Sequence, residues 1–177
     1  NNIFEKLPDI FTDKKPEKEI DYIKFFGRSQ SEGRVTKWIK SEYVEKPDNF
    51  NSYKVLLPAS NGSGKLGEKL SNPIVIGPRT CHTQTFMSFG MFEKSEDAES
   101  LLKYIKTKFS RVLLGILKVT QHNPSKTWAY VPLQDFTPDS DIDWTKSIAE
   151  IDQQLYKKYG LDEEEINFIE SNVKEME

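Results

Sequence analysis

Alternation of apolar and polar positions first predicts a β-hairpin. In the segment 20–28, IDYIKFFGR, Ile23 and Phe25 fall on one face of an extended strand, and Tyr22 and Phe26 fall on the other. The residues SQSEG that follow favour a turn, and RVTKWIK then returns as the second strand. Residues 1–20 are rich in Lys, Glu and Pro. We therefore expect an N-terminal arm over residues 1–20 and one domain over residues 21–177.

Further apolar runs predict more strands, interrupted by a glycine-rich loop. The predicted strands are YKVLLPAS (53–60), PIVIG (73–77), TQTFMSFGMF (83–92) and WAYVPL (128–133). The segment NGSGKLGEKLSN (61–72) has three glycines and few apolar residues, which is typical of a loop.

The strongest helical pattern runs from Ser95 to Lys118. Ser95 suits the N-cap position, and acidic residues follow it in the first turn. Apolar residues then recur at steps of three and four: Leu102, Ile105, Phe109, Val112, Leu113, Ile116 and Leu117. Polar and basic residues fall on the opposite side: Lys103, Lys106, Thr107, Ser110, Arg111 and Lys118. The pattern predicts one long amphipathic helix with a basic face.

Two more helices are predicted near the C-terminus. One covers about Trp144–Tyr159, with Gly160 as a left-handed stop. The other starts after a capping pair, Asp162 with Glu165, and continues to about Lys174. Together the elements predict an α+β domain: a mixed or antiparallel sheet, one long amphipathic helix and two C-terminal helices.

Composition and charge narrow the class of protein. The 177 residues are 36% hydrophobic and 12% aromatic, which argues against disorder. The single cysteine, Cys81, excludes an internal disulfide framework. The chain starts at Asn1 without a signal peptide, so we expect a fragment of a larger intracellular protein.

The net charge of −3 conceals an uneven distribution. Residues 1–134 hold 21 basic and 15 acidic residues, whereas residues 135–177 hold 4 and 13. No acidic residue lies between Glu99 and Asp135, a stretch with six basic ones. Such a basic block suggests a polyanionic partner, although on charge alone a solvated helix face is the simpler explanation.

Several catalytic and cofactor motifs are missing from the sequence. Gly64-Lys65 is followed by Leu66 and preceded at the required spacing by Ala59, so the glycine loop is not a nucleotide phosphate loop. His82 and His122 lack metal-ligand partners at a recognisable spacing. The carboxylates of Asp139, Asp141 and Asp143, in and beside the SDID segment (140–143), could hold a metal, but acids that begin a helix explain them better.

A series of longer segments resembles one known arrangement. These segments are YKVLLPASNGSG, TQTFMSFG, DAESLLKYIKTKFSRVLL, KVTQHNPSKTWAYVPLQDF and DIDWTKSIAEIDQQLYKKYGLDEEEINFIES. Their order resembles the C-terminal target-recognition region of adenine-specific restriction–modification DNA methyltransferases, including type II enzymes that fuse nuclease and methylase. The resemblance covers roughly residues 50–175.

The catalytic motifs of that family are not present in this chain. The family's methylase core carries an Asn-Pro-Pro-aromatic motif, but here Asn72-Pro73 is followed by Ile74. The glycine-rich methyl-donor loop is also missing. The resemblance therefore implies a non-catalytic fragment without a cofactor of its own. S-adenosylmethionine is expected in the parent protein, a DNA adenine methyltransferase or a fused restriction–methylase enzyme.

The resemblance also implies partners and a location. They are double-stranded DNA and the methyltransferase core of the same polypeptide, in a bacterial cytoplasm and without membrane contact. Basic side chains would grip phosphates, and polar residues of the loops 79–85 and 120–126 would reach base edges. The candidate DNA-binding residues are Lys54, Asn61, Ser63, Lys65, Lys69, Arg79, Thr83, Gln84, Thr85, Lys103, Lys106, Arg111, Lys118, Gln121, Asn123 and Lys126.

Two other functions remain open at this point. One is a protein-interaction module that uses the acidic C-terminal helices. The other is a small metal-dependent nuclease that uses the SDID carboxylates. Trp128 and Tyr130 could stack on an extruded base, but core packing is the simpler explanation for both.

Overall fold

The computed structural model describes residues 3–122 and 124–176. Its first sheet is built on the predicted hairpin, with Phe25 opposite Lys37 and Arg28 opposite Arg34. The strands of this sheet are β1 (Phe11–Thr12), β2 (Tyr22–Ser29), β3 (Gly33–Lys40) and β6 (Thr80–His82), in the order β1-β3-β2-β6. β6 runs parallel to β2, so the sheet is mixed.

A second, antiparallel sheet has β4 at its centre. Its strands are β4 (Tyr53–Pro58), β5 (Ile74–Ile76) and β7 (Phe86–Phe92), in the order β5-β4-β7. Both faces of β4 are buried. Leu56 packs with Phe26 of β2, which joins the two sheets, while Val55 and Leu57 belong to the main core.

The N-terminal segment lies against the first sheet. Helix α1 (Ile3–Lys6) places Phe4, which is buried, edge-to-face on Phe11 of β1 with the ring centres 4.8 Å apart. The packing of these rings holds the start of the N-terminal segment against the sheet.

The long amphipathic helix of the sequence prediction is two helices. α2 (Ser95–Lys106) ends at Thr107, and α3 (Lys108–Leu117) begins directly after it. The Thr107 hydroxyl accepts a hydrogen bond from the Ser110 backbone N–H, which caps α3. Ser95 is the first helical residue rather than the N-cap, a position that Lys94 occupies.

Both predicted C-terminal helices are present, although the first begins at Ile148 rather than at about Trp144. α4 (Ile148–Tyr159) starts at a capping box of Ser147 and Glu150. Gly160 ends it with a positive φ of 65°, a conformation that glycine adopts without steric cost. α5 (Glu163–Asn172) begins at the Asp162–Glu165 capping box.

The main core lies between the second sheet and helices α2 to α5. Its fully buried members include Val55 and Leu57 of β4, Ile105 of α2, and Ile151 and Leu155 of α4. The segment WAYVPL is not a strand. Residues Ser125–Trp128 form a short 3-10 turn, and Trp128 packs edge-to-face on Phe89.

The fold class predicted from the sequence is confirmed. The described residues form an α+β arrangement with one mixed and one antiparallel sheet, and two helices close the chain at its C-terminal end. None of the helices in these residues has the length and apolar character needed to cross a membrane.

Candidate functional site

A polar groove of about 460 Å³ opens where the ends of the two sheets meet. Gln84 and Thr85 line it from the segment before β7, and His122 lines it from the segment after α3. Arg28 and Arg34 form the wall on the first sheet. The remaining lining residues are Pro58, Ala59, Ser60, Ser71 and Phe86. The groove thus joins segments that are far apart in the sequence.

Hydrogen bonds between two loops build one side of the groove. The Ser60 hydroxyl and Nδ1 of His122 lie 3.0 Å apart, and the two residues also form a β-bridge. The Asn61 backbone N–H donates to the Gln121 carbonyl at 2.6 Å. The glycine loop and the polar loop after α3, predicted separately from the sequence, therefore lie side by side.

The segment 79–85, predicted as a loop, contains β6 and contributes side chains to two different places. Gln84 is exposed at the groove, whereas Thr83 is buried with its hydroxyl 2.6 Å from that of Thr85. Arg79 is not in the groove. Its guanidinium donates to the carbonyls of Ile20 and Tyr22, at 2.8 and 2.9 Å.

The glycine-rich loop 61–72 binds the carboxylate of its own residue Glu68. Glu68 accepts hydrogen bonds from the Ser63 hydroxyl at 2.5 Å and from the Ser63 and Gly64 backbone N–H groups. These donors lower the pKa of Glu68, and the Ser63 hydroxyl has the largest effect. Lys65 and Lys69 are exposed on the surface of this loop.

Several of the candidate phosphate-binding cations are held inside the protein. Lys54 is fully buried, and its ammonium group donates to the Asn49 carbonyl at 2.7 Å. Lys118 is 5% exposed and donates to the Asn61 carbonyl at 2.6 Å. Burial lowers the pKa of both lysines. Each would have to leave its carbonyl partner to reach a ligand.

Arg111 is also buried within the fold. It is 3% exposed and donates to the carbonyls of Lys106, Thr107, Glu68 and Lys174. Burial lowers the pKa of this guanidinium to about 10. Its role in the structure is to connect the α2–α3 junction with the glycine loop and the C-terminal segment.

The remaining basic residues of the predicted helix face lie apart from the groove. Lys103 donates to the carbonyls of Trp144 and Lys146, at 2.7 and 2.9 Å, and Lys106 is half-buried. The basic face is divided because the helix breaks at Thr107. Because α2 and α3 are separate helices, the residues that one straight helix would place on a single basic face do not share a face, and Arg111 and Lys118 are buried.

The polar loop 120–126 leaves two candidates exposed. Gln121 and Lys126 are accessible, while Asn123 lies outside the described residues. Tyr130 is 56% exposed, in contrast to Trp128, whose ring packs on Phe89.

The carboxylates 139–143 support local turns and ion pairs. Asp143 accepts from the backbone and the hydroxyl of Thr145, and Asp141 pairs with Lys158 at 2.7 Å. Within residues 3–122 and 124–176, no three His, Cys, Asp or Glu side chains are grouped as ligands of one metal ion.

Two groove residues were missed at the sequence level, Arg28 and Arg34. A signal for them existed in the predicted hairpin. With a turn centred on Ser31, residues equally distant from it face each other, which pairs Arg28 with Arg34. The pairing of these two positive residues was therefore predictable from the register, but their position at the groove was not.

Comparison with known proteins finds no match for this chain. No protein-family model matches it, and searches of curated proteins and of solved structures find no match. The function is accordingly argued from the groove and from the resemblance described above.

Proposed function

We propose that this chain recognises specific sequences in double-stranded DNA, as the target-recognition region of a restriction–modification adenine methyltransferase. The observation that carries the proposal is the convergence of separate polar segments on one groove. Gln84 and Thr85 approach it from one loop and His122 from another, and both loops contain residues selected from the sequence for base reading.

The chemistry of the groove suits this role. Gln side chains present a donor and an acceptor together, which matches the N6 and N7 edge of adenine in the major groove. Ser, Thr and His side chains can hydrogen-bond to either kind of base-edge group. Arg28 and Arg34 add positive charge beside them, as the contact with a phosphate backbone requires.

The resemblance supplies the wider setting of the proposal. Methyl transfer and the binding of S-adenosylmethionine would belong to a catalytic core on the same polypeptide. This chain would position that core on its target, because base contacts specify the sequence while phosphate contacts set the register.

The proposal is tested by selecting duplexes from a randomised DNA pool with the chain and measuring affinity for the enriched sequence. We expect Gln84→Ala to weaken binding to that duplex by about 5- to 150-fold, which corresponds to roughly 1–3 kcal/mol for a lost base contact. Binding to unrelated duplexes should stay unchanged. Affinity is measured by fluorescence anisotropy at a fixed salt concentration.

Gln153→Ala is the matched control, because Gln153 is exposed on α4, away from the groove. It should bind the selected duplex like the unmodified chain. A pool without any enriched sequence would overturn the proposal. An enriched sequence that Gln84→Ala binds with full affinity would move the base-reading surface away from the groove.

A further inference from the structure

Arg28 and Arg34 form an unusual pair in the first sheet. They lie directly opposite each other on the antiparallel strands β2 and β3. Side chains at such positions are close neighbours, and two like charges there destabilise the sheet. Burial, together with the charge of Arg28, lowers the pKa of Arg34. A negatively charged partner bound between the two arginines would offset this repulsion.

The Arg34 side chain is held in a fixed orientation. Its guanidinium donates to the carbonyls of Asn72 and Ser71, at 2.6 and 2.8 Å, and lies over the Phe86 ring at 5.7 Å from the ring centre. Arginine has five N–H donors in a rigid fork. These carbonyl contacts are made by only two of its nitrogen atoms, so Arg34 is oriented and still has donors to offer.

The Arg28 side chain is exposed, and none of the described residues forms a hydrogen bond or ion pair with it. The residues that line the groove include no Asp or Glu within the described part of the chain. Elsewhere on the same sheet, Lys37 has an acidic partner, Asp13, at 2.9 Å. The cleft between α2 and α4 is lined by lysines together with acids such as Glu99 and Glu170. The groove differs from both places, because the described residues that line it include two arginines and no acid.

We propose that Arg28 and Arg34 together bind one phosphodiester group of the DNA backbone. This inference rests on the proposed function, since it names the part of the DNA that enters this end of the groove. Guanidinium groups match the oxygens of a phosphate in geometry and charge, and the anion removes the repulsion within the pair. Ser60 lines the same groove.

A phosphate at this position has a consequence for recognition. Arg34 donates to the backbone carbonyls of Ser71 and Asn72, so the phosphate is located relative to the segment that leads into β5. Gln84 lines the same groove. The clamp therefore sets the register in which Gln84 meets a base, although the clamp itself carries no sequence information.

The first test uses Arg28→Gln, which removes an exposed side chain without described partners and should leave the fold intact. We expect its affinity to fall by the same factor for the selected duplex and for unrelated duplexes. The slope of log affinity against log salt should become shallower by up to about 0.9, the value for complete loss of one phosphate contact, because Arg34 is retained. Titrations over a series of salt concentrations measure both.

Lys24→Gln is the matched control, since it removes one positive charge from an exposed position of the same strand. Lys24 lies outside the groove, beside Trp38. Its salt slope should equal that of the unmodified chain. Equal slopes for Arg28→Gln and Lys24→Gln would overturn the clamp, whereas sequence-selective binding would still support the proposed function.

The second test uses inorganic phosphate without DNA. Phosphate should raise the thermal unfolding midpoint of the unmodified chain more than chloride at equal ionic strength, because a ligand of the folded state stabilises it. Arg28→Gln should show a smaller difference, because only the general stabilising effect of phosphate as a salt remains. If phosphate stabilises through Arg28 but no duplex binds, the anion site stands and the DNA function fails. A difference that Arg28→Gln retains in full would overturn the site.

Discussion

Individual buried charges determine much of how this chain is organised. Lys54, Arg111 and Lys118 look like surface cations in the sequence, yet each is nearly or fully buried and donates to backbone carbonyls. A charged group inside a protein is tolerated when its donors are satisfied. Their contribution is therefore to hold loops and termini in place.

Asp152 is the acidic counterpart of these residues. It is 2% exposed and accepts hydrogen bonds at 2.9 Å from the backbone N–H groups of Lys108 and Phe109, at the start of α3. Burial raises the pKa of this carboxyl to about 6, from an ordinary value of 3.8, although the two N–H donors act in the opposite direction. The folded protein thus holds this proton more tightly than the unfolded chain does.

A pH dependence of stability follows from that shift. The contribution of Asp152 is greatest below about pH 4 and is lost as the pH rises to about 6. We expect the free energy of unfolding of the unmodified chain, minus that of Asp152→Asn, to fall by up to about 3 kcal/mol between about pH 4 and 7. Urea denaturation across this range measures the difference.

Taking the difference cancels the carboxyl groups that both proteins share, including Glu68, Asp135 and Asp143, whose pKa values are lowered. A difference that rises with pH would contradict the prediction. It would mean that the positive end of α3 outweighs the effect of burial on Asp152.

At the level of elements, the break between α2 and α3 has the largest effect. Thr107 is fully buried, and its hydroxyl donates to the Tyr104 carbonyl at 2.7 Å while accepting from Ser110. The Ser110 hydroxyl donates to the same carbonyl at 2.7 Å. Two polar side chains thus satisfy backbone groups that the break would leave unpaired.

Removal of this cap should weaken the fold. We expect Thr107→Ala to lower the free energy of unfolding by about 1–2 kcal/mol, the range for a lost N-cap. Ser95→Ala is the control, because no side-chain cap is formed at the start of α2. It should change stability by less than about 0.5 kcal/mol. Equal losses in the two variants, measured by chemical denaturation, would show that the Thr107 cap has no special role.

At the scale of the whole molecule, one core connects distant parts of the chain. Leu155 of α4 is fully buried in a cluster that also contains Val55 of β4 and Ile169 of α5. Val173 is 3% exposed, and the backbone N–H of Lys174 donates to the Gly67 carbonyl at 3.0 Å. The acidic C-terminal region is therefore an integral part of the fold.

This integration can be tested by truncating a core side chain. We expect Leu155→Ala to lower the free energy of unfolding by about 2–5 kcal/mol, as for other large-to-small core substitutions. Phe168 lies on α5 and is 50% exposed, so Phe168→Ala should lower the free energy of unfolding by less than about 0.5 kcal/mol. If the two costs in chemical denaturation are similar, the acidic helices do not pack as described.

Much of the fold could be predicted from the sequence, because its signals are local. The hairpin around Ser31 follows from alternation and a turn, and both C-terminal helices follow from capping residues and Gly160. Strand β6 was not predicted, since three residues paired in parallel with a distant strand leave no local pattern. The false strand at WAYVPL had the residue types of a strand but no partner to pair with.

The candidate site was predicted only in pieces. Composition identified the loops that contain Gln84 and Gln121 as polar, and the hairpin register contained the Arg28–Arg34 pair. That these pieces share one groove depends on the junction of the two sheets, where Phe26 packs on Phe86 with ring centres 4.9 Å apart. The predicted basic helix face failed for a related reason, because helical periodicity does not reveal a break that buried hydroxyls stabilise.

The sequence by itself determined the elements of this protein whose stabilising interactions lie within a few residues: the hairpin, the helix caps and the apolar faces. Tertiary structure alone decided which charges are buried, where the long helix breaks and which loops meet. Burial is a property of the assembled core, since a lysine such as Lys54 becomes an internal donor only when the Asn49 carbonyl is placed 2.7 Å from it.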